Sequence, residues 1–217
     1  MFKKFRQLLI AALILTFTAS SALARPVSYP GGTTVMSKND ERVNSFHLHY
    51  SPTAKYSVGY RGEYWHDDEF YLHSAAVNVL LRRWNMPRSQ ANFYLKSGLG
   101  FAYSDYQDFD SEYEPLAYSG VSLDWENQRF FVMYENRGIY ADDIDRSYHQ
   151  KARLGIAPYI GEYGDLHTWL MVEFAHHPGT EDSFSITPLL RFFYSVYMAE
   201  VGVSTDGDLT ANLVIRF

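Results

Sequence analysis

The sequence contains no cysteine, relatively few basic residues and no long apolar run beyond its first 24 positions. Without cysteine, disulfides and thiolate metal sites are excluded. Without a run of about twenty apolar residues, residues 25–217 cannot form a membrane-spanning helix. A surplus of acidic side chains, 25 Asp and Glu against 19 Lys and Arg, argues against nucleic acid as a partner. There is no glycine-rich phosphate loop and no Gly-x-Ser-x-Gly motif, and we predict no cofactor.

The first 24 residues have the pattern of a secretory signal peptide. Three basic residues within the first six positions precede an apolar run over residues 8–17, and an Ala-x-Ala cleavage site ends at Ala24. This order of basic, apolar and small-residue regions is typical of exported proteins. We therefore predict cleavage after Ala24, which leaves residues 25–217 as one acidic domain.

The rest of the sequence shows a repeated two-residue alternation of apolar and polar side chains. In its last segment Leu213, Ile215 and Phe217 share one face, whereas Asn212 and Arg216 share the other. The same period recurs in segments of about ten residues that are separated by turn-forming sequences. Because successive side chains of a β-strand point to opposite faces, the pattern predicts an all-β fold.

Two features favour a membrane barrel over a soluble β-sandwich, which has the same alternation. Charged residues lie on the polar face in mid-strand, and aromatic residues collect at both ends of the apolar face. An apolar outer band with aromatic girdles around a polar interior is typical of transmembrane β-barrels, and in lipid the sheet must close. We predict a closed antiparallel transmembrane β-barrel over residues 25–217. The predicted lumen-lining residues are Lys96, Asp124, Glu135, Arg137, Lys151, Arg153, Glu173, Arg191, Glu200 and Arg216.

The C-terminal sequence Leu-Val-Ile-Arg-Phe, residues 213–217, resembles the last strand of Gram-negative outer-membrane β-barrel proteins. The resemblance implies location in the bacterial outer membrane, contact with its lipid, and recognition of Phe217 as the assembly signal by the barrel-assembly machinery. A second stretch, HLHYSPTAKYSVGY, is similar to uncharacterised barrels associated with metal-efflux genes. That second similarity implies no particular activity.

The spacing of the alternating segments predicts about twelve strands. Eleven are read directly between residues 43 and 217, and residues 33–37 supply one more. The alternative is ten strands, with residues 29–42 forming a periplasmic arm. The longest and most acidic connections, near 105–114, 141–146 and 178–182, are predicted to be extracellular, because such barrels keep their periplasmic turns short.

Two local motifs raise chemical hypotheses. His49 and Ser51 lie two apart on one strand face and resemble the His-x-Ser of outer-membrane lipid hydrolases. Pro52 follows directly, the motif lies on an early strand, and no third residue orients His49, so we predict no catalytic residues. His47 and His49 have the spacing of a metal-ligand pair on a strand. No third ligand can be assigned, and we predict no metal site.

Three function classes remain open. The first is a narrow channel through which small solutes or ions pass along the mixed-charge wall. The second is a structural or interaction barrel with a blocked lumen that acts through acidic extracellular loops. The third is a lipid-modifying hydrolase that uses His49 and Ser51. The channel is the main prediction, because barrels wider than about eight strands leave interior space.

Overall fold

The computed structural model describes residues 26–67, 69–106, 112–162, 164–180 and 183–217, which form an all-β protein. The predicted signal peptide and its cleavage site lie outside these residues. In these ranges no helix has the length and apolar character needed to cross a membrane. The strands are β1 (Gly32–Asn39), β2 (Val43–Thr53), β3 (Tyr56–Trp65), β4 (Phe70–Met86), β5 (Ser89–Ser104), β6 (Glu112–Asn127), β7 (Phe130–Tyr140), β8 (Tyr148–Ile156), β9 (His167–His176), β10 (Phe184–Tyr194), β11 (Tyr197–Val203) and β12 (Leu209–Arg216).

The strands form a closed antiparallel barrel in which each pairs with the next and β12 pairs with β1. Met36 of β1 lies opposite His47 of β2 on one side and Val214 of β12 on the other. Thr33 and Phe217 exchange two backbone hydrogen bonds, of 3.0 and 2.8 Å, at this seam. The prediction of a closed barrel with twelve strands is confirmed.

The alternative of ten strands, with residues 29–42 as a periplasmic arm, is wrong. Residues 32–39 form β1, because only their insertion between β2 and β12 pairs the backbone groups of both neighbours. The residues before β1 also pack against the barrel. Val27 and Ser28 are buried, and Ser57 Oγ of β3 donates a 2.8 Å hydrogen bond to the Pro26 carbonyl.

The ends of the barrel differ in their connections. We call the end with the connections after β1, β3, β5, β7, β9 and β11 the loop end, and the opposite end the turn end. The predicted extracellular connections all belong to the loop end. At the turn end β4 and β5 continue to Met86 and from Ser89, past the predicted bounds, with a register shift between Leu80 and Arg82. Residues 157–166 form the longest turn-end connection.

Side chains alternate between the interior and the outer surface. In β2 the side chains of Ser45, His47 and Ser51 are buried, whereas Phe46 and Tyr50 are 46% and 49% exposed. The exposed apolar side chains therefore face lipid, and the polar ones face the lumen, where water and ion pairs can satisfy them. The alternation in the sequence thus corresponds to two environments, lipid on the outside and the polar lumen on the inside.

Tyrosines form a row on the outer surface near the loop end of β3–β6. The ring centroids of Tyr64 and Tyr71 are 4.6 Å apart, those of Tyr71 and Tyr103 are 6.4 Å apart, and those of Tyr103 and Tyr113 are 4.6 Å apart. Cross-strand aromatic pairs of this kind stabilise a sheet. A belt of amphipathic rings at this height is typical of the membrane–water interface.

An apolar cluster fills part of the interior near the loop end. Trp65, Leu72 and Tyr118 belong to it, together with Ile144 from the connection after β7. Gly98 provides the space for Tyr118, because a Cβ at this position would lie 2.3 Å from Cε1 of the ring. The interior is therefore partly closed by packing on the β3–β7 side and remains polar elsewhere.

Candidate functional site

The lumen contains a cavity of about 210 Å³ to which all twelve strands contribute lining residues. This is smaller than the roughly 300–1,000 Å³ of typical small-molecule pockets. Its charged lining residues are balanced in number. The cations are Lys38, Arg61, Lys96, Arg137, Lys151, Arg153 and Arg191, and the carboxylates are Asp40, Glu63, Asp124, Glu126, Glu135, Glu173 and Glu200.

Most residues predicted from the sequence to line the lumen border this cavity. Arg216, which was also predicted, is buried on the inward face of β12. Sequence reasoning missed Lys38, Arg61 and Glu63. The signal for Arg61 and Glu63 was present, because they alternate with Tyr60 and Tyr64 in period two. The predicted residues that line the cavity are Lys96, Asp124, Glu135, Arg137, Lys151, Arg153, Glu173, Arg191 and Glu200.

The strongest charge network is centred on Glu200 of β11. Arg153 Nη1 donates to both carboxylate oxygens, at 2.9 and 3.0 Å, and Arg191 Nε donates at 2.6 Å. Asn212 Nδ2 donates at 2.8 Å, and Arg153 also pairs with Glu173. Because β8 and β11 are not neighbours, the Arg153–Glu200 pair reaches over β9 and β10 inside the barrel.

A second network crosses the lumen farther. Glu63 of β3 accepts a hydrogen bond from Arg137 Nη1 of β7, at 2.9 Å, and also pairs with Arg61. The Arg137 guanidinium lies 5.8 Å from the ring centroid of Trp65 and 5.6 Å from that of Tyr118. Strands β3 and β7 are separated by three others, so this pair forms a bar across the interior.

Glu135 pairs differently from what the strand register suggests. Lys151 lies directly opposite Glu135 on β8, so the register alone would pair these two charges. Instead Lys96 Nζ of β5 donates to Glu135 at 2.6 Å, and Lys151 Nζ lies 3.7 Å from Glu173. On the concave inner face, long side chains can reach across the lumen. Their ion pairs are therefore determined by proximity inside the barrel and not by which strands are neighbours.

Polar groups without hydrogen-bond partners lie on the β1–β2 wall of the cavity. Nε2 of His47 and both ring nitrogens of His49 are buried, and none has a partner among the described residues. The two rings are in edge contact, with centroids 6.0 Å apart. Lys38 lines the same cavity, and no ion pair within 4.0 Å joins its ammonium to a described carboxylate.

Aromatic and imidazole rings narrow the lumen at the loop end. His149 Nδ1 lies 2.5 Å from His177 Nδ1, and the His149 ring stacks on Trp65 with centroids 4.7 Å apart. Burial, together with the charges of Arg42 and Lys151, lowers the pKa of His177 to about 4. The His177 ring is therefore neutral at neutral pH, and in its contact with His149 one Nδ1 donates and the other accepts.

The predicted chemical motifs do not form catalytic geometry. Ser51 Oγ accepts a 2.9 Å hydrogen bond from the Ser28 backbone, and His49 has no partner among the described residues, so the bond between base and nucleophile is missing. Among the described residues no group of three or more His, Asp or Glu is arranged to hold a metal ion. His47 and His49 are thus a pair without a third ligand.

A closed sheet with an apolar outer face, a tyrosine row and a charged interior defines the class of bacterial outer-membrane β-barrels. No family model matches the sequence, and no curated protein is similar to it. The chain resembles the KdgM porin in complex with disordered oligogalacturonate, with a TM-score of 0.49, 7% identity, and coverage of 86% of this chain and 98% of that one.

Two other solved structures are similar to the chain. The Acinetobacter baumannii outer membrane protein Omp33 has a TM-score of 0.39 and 11% identity, with coverage of 89% of this chain and 99% of that one. Pseudomonas aeruginosa OccK8 (OprE) has a TM-score of 0.43 and 7% identity, with coverage of 81% and 57%. The similarity to barrels associated with metal-efflux genes finds no support in these comparisons.

Proposed function

We propose that this protein is a narrow channel of the outer membrane that passes small solutes or ions. The observation that carries the proposal is the charged cavity, to which all twelve strands contribute. A basic residue that faces lipid near the midplane would cost about 2–4 kcal/mol. The charged side chains therefore lie on the inner wall, where water and opposite charges can solvate them. A polar wall of this kind supports hydrated passage.

The width supports a restrictive channel. The Arg137–Glu63 bar and the Arg153–Glu200 pair cross the interior, and the free space that remains is about 210 Å³. Ions and the smallest solutes fit this space, since a water molecule occupies about 30 Å³ in the liquid. A larger solute would have to displace an ion pair, which makes its passage slow.

The specific alternative is a structural or interaction barrel with a blocked lumen. It is favoured by the apolar cluster at the loop end, where Ile144 packs against residues of β3–β7, and by the acidic connections at that end. In this case the crossing ion pairs would only stabilise the barrel. The hydrolase remains the least supported function, because His49 and Ser51 are not hydrogen-bonded to each other.

The proposed setting follows from the same class of fold. We propose that the barrel lies in outer-membrane lipid with its loop end extracellular, that Phe217 serves as the signal to the barrel-assembly machinery, and that no cofactor is needed. The backbone bonds between Phe217 and Thr33 support a role for the last residue in closing the barrel.

Single-channel recording of the refolded barrel in a planar bilayer tests the proposal. We expect small conductance, and Arg153→Glu should move the reversal potential in a salt gradient toward cations, because it reverses one charge of the inner wall. Arg146→Glu is the matched control, since Arg146 lies in a loop with its side chain 57% exposed. A silent bilayer with demonstrably folded protein would overturn the channel and favour the structural barrel.

A further inference from the structure

We propose that the β1–β2 wall of the lumen, formed by Lys38, His47 and His49, is a binding site for a small oxyanion such as phosphate or a carboxylate. The observation behind it is the convergence of hydrogen-bonding groups that lack partners on one wall of a cavity. Buried polar groups are nearly always paired, so three unpartnered imidazole nitrogens beside a lysine mark this wall as a place where a polar group binds.

The register places Lys38, His47 and His49 on the inward face of one hairpin, with Lys38 beside His47 and His49 one inward position farther along β2. Met36 of β1 lies opposite His47 of β2, and Thr34 lies opposite His49. Lys38 is two positions beyond Met36 on the same inward face, so it is the diagonal neighbour of His47, a distance that long side chains bridge. An ammonium and two imidazole N–H groups can then donate to one anion.

The surrounding charge decides which kind of ligand fits. The charges that act most strongly on Lys38 are those of Glu135, then Lys151, Lys96 and Arg153, one carboxylate and three cations. Glu135 already has Lys96 as its partner, at 2.6 Å. Lys38 thus shares Glu135 with Lys96 and two further cations and has no direct ion pair of its own, an arrangement that an anion would complete.

A metal ion is the other ligand that unpartnered imidazoles suggest. It is disfavoured at this wall, because Lys38 and Arg61 are the strongest charges acting on His47 and both are cations. Two like charges at a given distance repel more strongly inside a protein than in water. The surplus of positive charge that would draw in an oxyanion would keep a metal cation out.

The biological role of this site rests on the proposed function, because the site would bind one class of solute during its passage through the channel. Binding itself requires no current. Calorimetric titration of inorganic phosphate into the refolded barrel in detergent micelles at neutral pH should show binding. Lys38→Met should weaken it at least tenfold, and Lys55→Met, an exposed lysine in the turn after β2, should leave it unchanged.

Folding of each variant is checked by heat-modifiable gel mobility, and His49→Phe serves as a second variant if Lys38→Met does not fold. Absence of phosphate binding by the folded wild type, or equal affinity in Lys38→Met, would overturn the site. Binding of Zn²⁺ without phosphate, lost in His47→Gln, would overturn it in favour of a metal. Phosphate binding without channel current would contradict only the channel. Channel current without phosphate binding would contradict only the oxyanion site.

Discussion

Replacing Glu200 by glutamine tests whether the lumen charges hold the barrel together. Glu200 is buried and receives hydrogen bonds from Arg153, Arg191 and Asn212 at 2.6 to 3.0 Å. Glutamine keeps the size of the side chain but removes the negative charge that compensates two guanidinium groups. Arg153 retains Glu173, whereas Arg191 loses its carboxylate partner.

The size of the effect follows from this arrangement. Removing one partner of a buried ion pair typically costs about 3–5 kcal/mol, because the opposite charge is left uncompensated. Two cations raise the cost at Glu200, and the remaining Glu173 lowers it. We therefore expect the free energy of unfolding to fall by about 3 kcal/mol, a large share of the usual 5–15 kcal/mol of a domain.

The measurement is urea unfolding of the barrel refolded into lipid vesicles, followed by tryptophan fluorescence. Asp142→Asn removes the carboxylate of an exposed ion pair with Arg146 and should cause no measurable change. Adding Arg191→Gln to Glu200→Gln should cost less than the sum of the two single changes, because the uncompensated charge has gone. A loss below about 1 kcal/mol for Glu200→Gln, the range of a surface pair, would refute the reasoning.

Two further predictions concern the seam and the loop end. Deletion of Phe217 removes both backbone hydrogen bonds to Thr33 and should reduce the heat-modifiable species in outer-membrane fractions; unchanged levels would count against a role in assembly. Burial and a hydrogen bond with Asp208 raise the pKa of Glu41, in the connection after β1, from 4.5 to about 7. The folded state then binds a proton that the unfolded chain releases, so stability should fall as pH rises from 4.5 to about 7. Glu41→Gln should remove this slope in urea unfolding curves, and an unchanged slope would contradict the assignment.

The strands and their number were predictable because each inward side chain meets the polar lumen and each outward side chain meets lipid, so polarity alternates along every strand. Eleven strands followed from the alternation, and residues 33–37 were added as the twelfth, although Gly31 precedes β1 and Gly32 begins it. The ends of β4 and β5 were less predictable. The register shift at Leu80 and Arg82 interrupts the two-residue period, so the sequence beyond it no longer resembles a strand.

The inward face could be predicted, but its contacts could not. Period two assigns Glu135 and Lys151 to one face and to neighbouring strands, and nothing in a linear sequence places Lys96 nearer to Glu135 than Lys151. That choice depends on the curvature of the barrel, which brings distant strands within reach of long side chains. The same holds for Arg137 and Glu63, which are 74 positions apart.

The unequal strand lengths have a consequence for the surrounding bilayer. β1, β11 and β12 have 8, 7 and 8 residues, whereas β4 has 17. A strand of eight residues is about 27 Å long. When tilted by about 40° it reaches only about 20 Å, less than the roughly 25 Å of a usual apolar band. Lipid beside the seam must therefore thin to avoid contact with polar backbone. The barrel therefore imposes its largest hydrophobic mismatch beside the seam, and short acyl chains should collect there.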